Sequence, residues 1–181
     1  MFPDISFSNK HIYVASINNA EEIMHLLNSA YRGEDSKKGW TTEAHLIAGE
    51  TRTDISSVVE VIAKPASIML VYTNEENKII GCVNLQQHNN KVYLGMFSVS
   101  PHLQGGGIGK ALLLAAEEFA KQINCSSIYM SVISVREELI NWYKRHGYVD
   151  TNERKQFIED GVSGKHLQQL EFMVLEKKLT T

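Results

Sequence analysis

The chain of 181 residues is long enough to bury a substantial core, and we expect residues 1–181 to form a single domain. Hydrophobic residues make up 43% and charged residues 22%, as in ordinary soluble proteins, and the net charge of −3 argues against nucleic acid as a partner. No apolar stretch reaches membrane-spanning length, and no basic start followed by an apolar run marks a signal peptide. We therefore expect a cytoplasmic protein with no membrane partner.

The first third of the chain combines a strand, helices and a polar connection. Apolar residues at helical spacing, Ile23, Leu26, Leu27 and Ala30, define one face of the first helix. The elements predicted here are a strand at 11–16, a helix capped by Asn18 or Asn19, a loop at 32–40, a helix from Thr41 to Ala48, and a helix at 55–63 that Lys64-Pro65 ends.

The rest of the chain predicts hairpins followed by alternating helices and strands. Three β-rich runs separated by short polar turns favour antiparallel pairing. The predicted elements are strands at 67–73, 78–87 and 91–99, a long helix that begins in a glycine-rich turn, a strand at 127–133, a helix at 136–146 that Gly147 ends, a strand starting at 148–151, a loop at 152–165, and a strand at 167–175.

The cysteines and histidines give no indication of a metal site. Cys82 and Cys125 each lie in an apolar run, which favours buried free thiols. The seven histidines are scattered, and none is paired at the spacing of metal ligands. We expect no bound metal.

The glycine-rich turn is Gln104-Gly105-Gly106-Gly107-Ile108-Gly109-Lys110, between a strand and the long helix. The free N–H groups and the dipole at a helix start attract phosphate, and glycines let it approach the backbone. Common nucleotide loops do not fit, because Ala111 replaces the P-loop hydroxyl and Lys110 or Leu112 replaces the third glycine of the dinucleotide fingerprint. An ordinary turn is disfavoured, because four glycines in five residues cost chain entropy.

The remaining pattern, Gln-x-x-Gly-x-Gly, resembles the acetyl-CoA pyrophosphate loop of the GNAT N-acetyltransferases. The resemblance extends to Val99-Ser100-Pro101 before the loop and to Tyr143-Lys144-Arg145-His146-Gly147-Tyr148 after it, and it is strong over residues 78–149. It implies the GNAT, or acyl-CoA N-acyltransferase, fold. That is an α/β fold in βααβββαβαββ order, with a mixed, mostly antiparallel sheet whose strands next to the loop helix diverge to form the cofactor cleft.

The resemblance also implies acetyl-CoA as co-substrate. The turn from Gln104 to Lys110 would hold its pyrophosphate. On the preceding strand, the N–H of Phe97 would bind the acetyl carbonyl and the N–H of Val99 the pantetheine, with Ser98 between them. Residues two apart on a strand point in the same direction, so both N–H groups would face the cofactor.

Tyr143 stands where family members usually carry the tyrosine that protonates the departing CoA sulfur, so we predict it as the general acid. Without the motif, a tyrosine on a helix with Leu139 and Ile140 would be interpreted as a core residue. One position departs from the family. Many relatives have asparagine about seven residues earlier, where this chain has Arg136, so the role of Arg136 stays open.

The sequence offers several candidates for the general base. The histone-acetylating branch of the family has a glutamate four residues before the position of Phe97, where this chain has Tyr93. We predict Glu43 as the catalytic carboxylate, although in the first turn of a helix it would also stabilise that helix by about 0.3–1 kcal/mol. The alternatives that stay open are water, His88, Glu34 and Asp35.

The segment 31–43 is predicted to form a wall of the acceptor pocket, because the connection between the first two helices lies there in GNAT folds. An aromatic ring beside carboxylates suits an apolar or cationic amine. The candidate substrate-binding residues are Tyr31, Glu34 and Trp40. We expect this segment to make no structural contribution to the glycine-rich turn.

The predicted function is therefore transfer of acetyl from acetyl-CoA to the primary amine of a small molecule. A protein or peptide acceptor stays open, and a wide groove would favour it over a closed pocket around Trp40. A non-catalytic acyl-CoA sensor is the alternative from another class, and the presence of Tyr143 argues against it. The sequence also leaves a homodimer open.

Overall fold

The computed structural model describes residues 1–180 and shows a mixed α/β fold. The helices are α1 (Ala20–Tyr31), α2 (Gly33–Ser36), α3 (Ile55–Ala63), α4 (Ile108–Gln122) and α5 (Glu137–Arg145), with 3-10 turns at Ile17–Asn19 and Pro101–Leu103. The strands are β1 (Ile12–Val14), β2 (Ile47–Ala48), β3 (Ser67–Thr73), β4 (Ile79–His88), β5 (Lys91–Val99), β6 (Ser127–Ile133), β7 (Val149–Gln156), β8 (Lys165–His166) and β9 (Glu171–Lys178).

Seven strands form one sheet in the order β1-β3-β4-β5-β6-β9-β7, and β2 and β8 form a separate antiparallel pair. Every neighbouring pair in the large sheet is antiparallel except β5 with β6. The predicted mixed, mostly antiparallel fold is confirmed. Within residues 1–180, no helix combines the length and the apolar content needed to cross a membrane.

Strands β5 and β6 diverge after a short parallel contact. Only Lys91 to Tyr93 pair with Ser127 to Tyr129, so the outer halves of both strands have no partner in the gap between them. Helix α4 begins on the chain that leaves β5, and α5 begins on the chain that leaves β6. The expected cleft between the two strands is therefore present.

Helices cover both faces of the sheet, as the alternation of side chains along β3 shows. Leu70 lies in one hydrophobic cluster with Leu112 and Phe119 of α4. Its neighbours Met69 and Val71 lie in the other cluster, with α1 and Val58 of α3. Because successive side chains of a strand point to opposite faces, a continuous apolar run such as β3 requires cover on both sides.

The predicted strands at 67–73, 91–99 and 127–133 and the predicted helix at 55–63 are confirmed at their bounds. The predicted helix at 41–48 is wrong. The N–H groups of Leu46 and Ile47 donate to Glu43 O in a single turn, and the chain then enters β2, which pairs with β8. That pairing overrides the local helical pattern because Ile47 becomes fully buried.

Three further segments differ from the sequence prediction. The predicted loop at 32–40 contains the short helix α2, and β7 continues to Gln156 into the predicted loop at 152–165. The closing strand β9 begins at Glu171, later than the predicted start at 167, and Lys165 and His166 of the predicted loop form part of the separate β2–β8 pair.

Candidate active site

The glycine-rich turn borders open space at the start of α4. Gly105 and Gly107 both have φ of +87°, a left-handed conformation that residues with a side chain rarely adopt. A Cβ atom built on either glycine would meet no atom within 4 Å. The turn therefore forms a concave backbone surface at a helix N-terminus, which is an arrangement suited to a phosphate group.

The first cavity lies between this turn, the end of β5 and α5, and its volume is about 480 Å³. Gly106 and Ile108 are the only predicted cofactor residues outside its lining; Ile108 packs towards Gly81 of β4. The predicted cofactor residues that line it are Phe97, Ser98, Val99, Gln104, Gly105, Gly107, Gly109 and Lys110.

A β-bulge shapes the edge of β5 beside this cavity. Cys82 pairs with Ser98 and Asn84 with Gly95, so Met96 and Phe97 together stand opposite one residue of β4. Met96 has φ of +45°, which is rare for a residue with a side chain. A bulge re-aims the backbone of its strand. The role of the Phe97 N–H stays a prediction, and its location at a bulge beside the cleft supports it.

A second cavity of about 760 Å³ lies on the other side of the same residues. Four side chains line both cavities and so form the junction between them: Tyr31, Phe97, Leu139 and Tyr143. The sequence prediction assigned Tyr31 to the acceptor and Phe97 and Tyr143 to the chemistry of the cofactor. The structure brings all three to one place.

Tyr143 is almost completely buried, with 4% of its surface exposed. Its ring centroid lies 5.2 Å from that of Trp142, 5.8 Å from Tyr148 and 6.2 Å from Phe97. Burial raises the pKa of Tyr143 well above its usual value of 10.0, and the neighbouring Tyr31 and Tyr148 raise it further. The phenol is therefore protonated at neutral pH and available as a proton donor.

Tyr31 connects the junction to a charged group in the second cavity. Its hydroxyl donates a hydrogen bond to Phe97 O, and burial raises its pKa. The guanidinium carbon of Arg52 lies 4.5 Å from the centroid of its ring. A guanidinium over an aromatic face is a favourable cation–π contact.

Glu43 lines the second cavity but is held by two arginines. It is 7% exposed, and one oxygen accepts from Arg32 while Oε1 accepts from Arg136 Nη1 at 2.9 Å. Arg136 also donates to Thr41 O at 2.6 Å. Since no helix begins at residue 41, Glu43 does not stabilise a helix dipole. The catalytic role of Glu43 stays a prediction. Arg136, whose role the sequence left open, contacts Glu43 and Thr41.

Gln104 links the 31–43 segment to the glycine-rich turn. Its Oε1 accepts from the N–H of Trp40 at 2.8 Å and of Thr41 at 3.3 Å, and its Nε2 donates to Thr41 Oγ1 and Val99 O. Trp40 lines the first cavity and not the second, and its ring lies 6.1 Å from Trp142. The turn and the 31–43 segment are therefore in contact, contrary to the expectation that the turn needs nothing from this segment.

The other predicted acceptor and base residues lie elsewhere. Glu34 is exposed, forms an ion pair with Lys37 at 2.5 Å, and lines neither cavity. Asp35 forms the equivalent pair with Lys38. His88 packs against two tyrosines at the end of β4, also outside both cavities. Among the carboxylates named from the sequence, only Glu43 reaches a cavity.

Sequence reasoning did not identify three contributors to the site. Trp142 lines the first cavity, and its position beside Tyr143 was an available signal. Met96 forms the bulge, for which the adjacent Gly95 is a weak signal. Arg52 lines the second cavity, and nothing in the polar stretch around it indicated a site.

Among residues 1–180, no three His, Cys, Asp or Glu side chains lie close enough together to hold a metal ion. The expectation that no metal is bound remains a prediction.

The family is decided by a comparison of the whole sequence. A sequence model of the Acetyltransferase (GNAT) family matches residues 20–148, which is more than half of the chain. The chain belongs to the GNAT family. The predicted resemblance is thereby confirmed, and the matched range contains the glycine-rich turn, the β5 edge and Tyr143.

Individual relatives share the domain at low identity. The chain is 31% identical over 78 residues to a probable spermine N(1)-acetyltransferase of Bacillus subtilis subsp. natto, covering 40% of this chain and 51% of the relative. It is 26% identical over 124 residues to N-acetylaspartate synthetase of Danio rerio, covering 67% of this chain and 44% of the relative. The chain thus spans about half the length of the curated relatives it matches.

Solved structures share the fold along nearly the whole chain. A ribosomal-protein-alanine N-acetyltransferase from Brucella melitensis has a TM-score of 0.68 at 18% identity, covering 93% of this chain and 99% of its own. At that identity the likeness establishes the fold alone.

Proposed function

We propose that this GNAT domain transfers the acetyl group of acetyl-CoA to a primary amine of a small molecule. The observation that carries the proposal is the junction of two cavities at Tyr31, Phe97, Leu139 and Tyr143. One cavity contains the phosphate-binding backbone, and the other leaves room for an acceptor. A two-substrate transfer requires such a junction, because both reactants must reach the same proton donor.

The first cavity fits acetyl-CoA, because a Cβ atom on Gly105 or Gly107 would fill the concave surface that a pyrophosphate requires. Acetyl-CoA would supply the acetyl group as an activated thioester. The turn and the side chain of Lys110 would hold the pyrophosphate. The edge of β5 from Phe97 to Val99, which has no partner strand in the gap, would pair with pantetheine as a strand does.

In the proposed reaction, the amine nitrogen forms a bond to the acetyl carbon as the bond from that carbon to sulfur breaks. The Phe97 N–H donates a hydrogen bond to the acetyl oxygen, on which negative charge develops. Tyr143 donates its phenolic proton to the departing sulfur. The amine releases one proton to water, and a proton from water restores Tyr143, so proton uptake and release balance.

For the proton of the amine, the geometry supports water over Glu43. Both carboxylate oxygens of Glu43 already accept hydrogen bonds from arginines. Glu43 is then a positioning residue that fixes the 41–43 segment against α5. A cytoplasmic location, a single domain and a metal-free reaction remain predictions from the sequence.

A panel of amines tests this proposal by measuring CoA release with a thiol reagent. The names of two matched relatives refer to spermine and to N-acetylaspartate, so the panel contains polyamines and amino acids together with aminoglycosides and short peptides. We expect saturable turnover with at least one small amine. Turnover with peptides alone would support a protein acceptor instead. Tight CoA binding without any turnover would support a sensor.

A further inference from the structure

The second cavity has an excess of positive side chains. Its lining contains three arginines, Arg32, Arg52 and Arg136, and two carboxylates, Glu43 and Asp160, so three positive groups face two negative groups. An excess of positive charge in a cavity that binds a small molecule favours a ligand that carries a negative charge.

Protein contacts already engage four of these five groups. Glu43 pairs with Arg32 and Arg136, and the remaining donors of Arg32 bond to Ser163 O at 3.1 and 2.9 Å. Asp160 Oδ1 accepts hydrogen bonds from the backbone N–H of residue 162 and from the N–H and hydroxyl of Ser163. These contacts build the wall of the cavity and leave little capacity for a ligand.

Arg52 is the exception. Within residues 1–180, its guanidinium forms no ion pair and no hydrogen bond, although it lines the cavity. Its backbone N–H donates to Asn28 Oδ1 at 2.7 Å, and its guanidinium lies over the ring of Tyr31. The group is therefore held in place with its planar set of N–H donors unused, which is the geometry that binds a carboxylate through two hydrogen bonds.

We propose that Arg52 is the carboxylate subsite of the acceptor cavity, so that the acceptor is a small molecule carrying both a primary amine and a carboxylate, as an amino acid does. This inference rests on the proposed function and specifies its substrate class. The guanidinium carbon of Arg52 lies 4.5 Å from the centroid of the Tyr31 ring, which is itself part of the junction with the first cavity. That separation suits an amine and a carboxylate on one small molecule.

A polyamine fits this cavity less well. Its ammonium groups would need carboxylate oxygens that are free to accept hydrogen bonds, and of the two carboxylates in the lining only Asp160 Oδ2 accepts none from residues 1–180. It would also meet the uncompensated charge of Arg52, and like charges brought together weaken binding. We therefore expect the protein to prefer an amino acid over the corresponding decarboxylated amine.

Pairs of substrates that differ only in the carboxylate test the subsite. Ornithine with putrescine and phenylalanine with phenethylamine are compared by kcat/KM from CoA release. In the wild-type protein we expect the amino acid of a pair to be preferred by about 10- to 100-fold, which corresponds to a hydrogen-bonded charge pair. A preference for the decarboxylated amine in both pairs would overturn the subsite while leaving the acetyltransferase function intact. No turnover with any amine would overturn the function and the subsite together.

Substitution of Arg52 locates the effect. Arg52→Gln should remove the preference by raising the KM for the amino acid with kcat little changed, while the KM for the decarboxylated amine should fall because the repulsion by Arg52 is lost. Arg52→Lys keeps the charge and should retain part of the preference. Arg154→Gln is the matched control, because Arg154 pairs with Asp150 on β7 and lines neither cavity. A preference that persists unchanged in folded Arg52→Gln would overturn the assignment. If that variant does not fold, the wild-type ratios decide.

Discussion

The two cavities that meet at Tyr143 are built in different ways. The wall that would hold the cofactor contains one continuous segment, the glycine-rich turn at 104–110, together with the adjoining edge of β5 and one side of α5. The wall of the second cavity, which would receive the acceptor, comes from side chains of distant segments, including Arg32, Glu43 and Arg136. Backbone N–H groups bind phosphate in any chain with the right turn, whereas side chains from distant segments set the charge and shape for one class of ligand.

The difference indicates how the two sites would tolerate change. The glycine-rich turn depends on the absence of side chains at positions with positive φ, so almost any substitution there would harm it. The acceptor wall depends on a balance of buried charges, so a substitution there would alter specificity and stability together. Substitutions at Tyr143, Gly107, Glu43 and Trp40 test this comparison.

Tyr143→Phe should have the largest effect, because it removes the proton donor at the junction and keeps the ring. We expect kcat to fall by about 10²–10⁴-fold with little change in the affinity for CoA. Because burial raises the pKa of Tyr143 well above 10.0, the wild-type rate should show no loss from this group below about pH 10. Steady-state kinetics across pH check both points. A variant that acetylates at the wild-type rate would place the acid elsewhere.

Gly107→Glu should abolish tight binding of CoA and leave the protein folded. The carboxylate would enter the space that the pyrophosphate needs, and like charges in contact cost several kcal/mol, so the Kd should rise by roughly 10²–10³-fold. Calorimetric titration with CoA measures the change.

Gly161→Glu is the matched control for that experiment. Gly161 also has a positive φ, +79°, and a Cβ atom there would also meet nothing within 4 Å, but it lines neither cavity. It should therefore carry the same backbone strain without the loss of CoA affinity. Equal losses in both variants would show that strain, not the phosphate site, explains the effect.

Glu43→Gln should chiefly reduce stability. It leaves two buried arginines without their negative partner, and breaking a buried ion pair costs about 3–5 kcal/mol, which lowers the melting temperature by about 6–20 °C. The exposed Glu34→Gln should change neither the melting temperature nor the KM for amine. If Glu43 is instead the general base, folded Glu43→Gln would also lose kcat at temperatures well below its melting temperature.

Trp40→Ala should have the smallest effect. On the structure, we expect it to affect acetyl-CoA and not the amine. Because Trp40 lines the first cavity and is linked to the turn through Gln104, we expect a higher KM for acetyl-CoA. Truncation of a partly buried aromatic contact costs about 1–2 kcal/mol, or roughly 5- to 30-fold. The KM for amine should change little. The opposite pattern would return Trp40 to the acceptor pocket, where the sequence prediction placed it.

The parts of the site that the sequence predicted are those whose residues lie close together along the chain. The turn from Gln104 to Lys110 and the helix that carries Tyr143 are local patterns, and the strands before them follow from apolar runs between polar turns. The failed predictions concern segments with distant partners. The helix expected at 41–48 became a strand because Ile47 pairs with His166, more than a hundred residues later.

Residue patterns along the chain were enough to predict the mixed α/β fold, the GNAT family, the glycine-rich turn at the start of α4 and the helix that carries Tyr143. Each of these depends on the spacing of residues that are close in sequence, because hydrogen bonding and steric limits on φ then determine the local structure. The tertiary structure was needed to show that Glu43 lies between two arginines, that Trp40 lines the first cavity, and that Arg52 lines the second cavity without an ion pair among residues 1–180. These facts depend on which distant side chains packing brings together, and no local pattern in the chain records that.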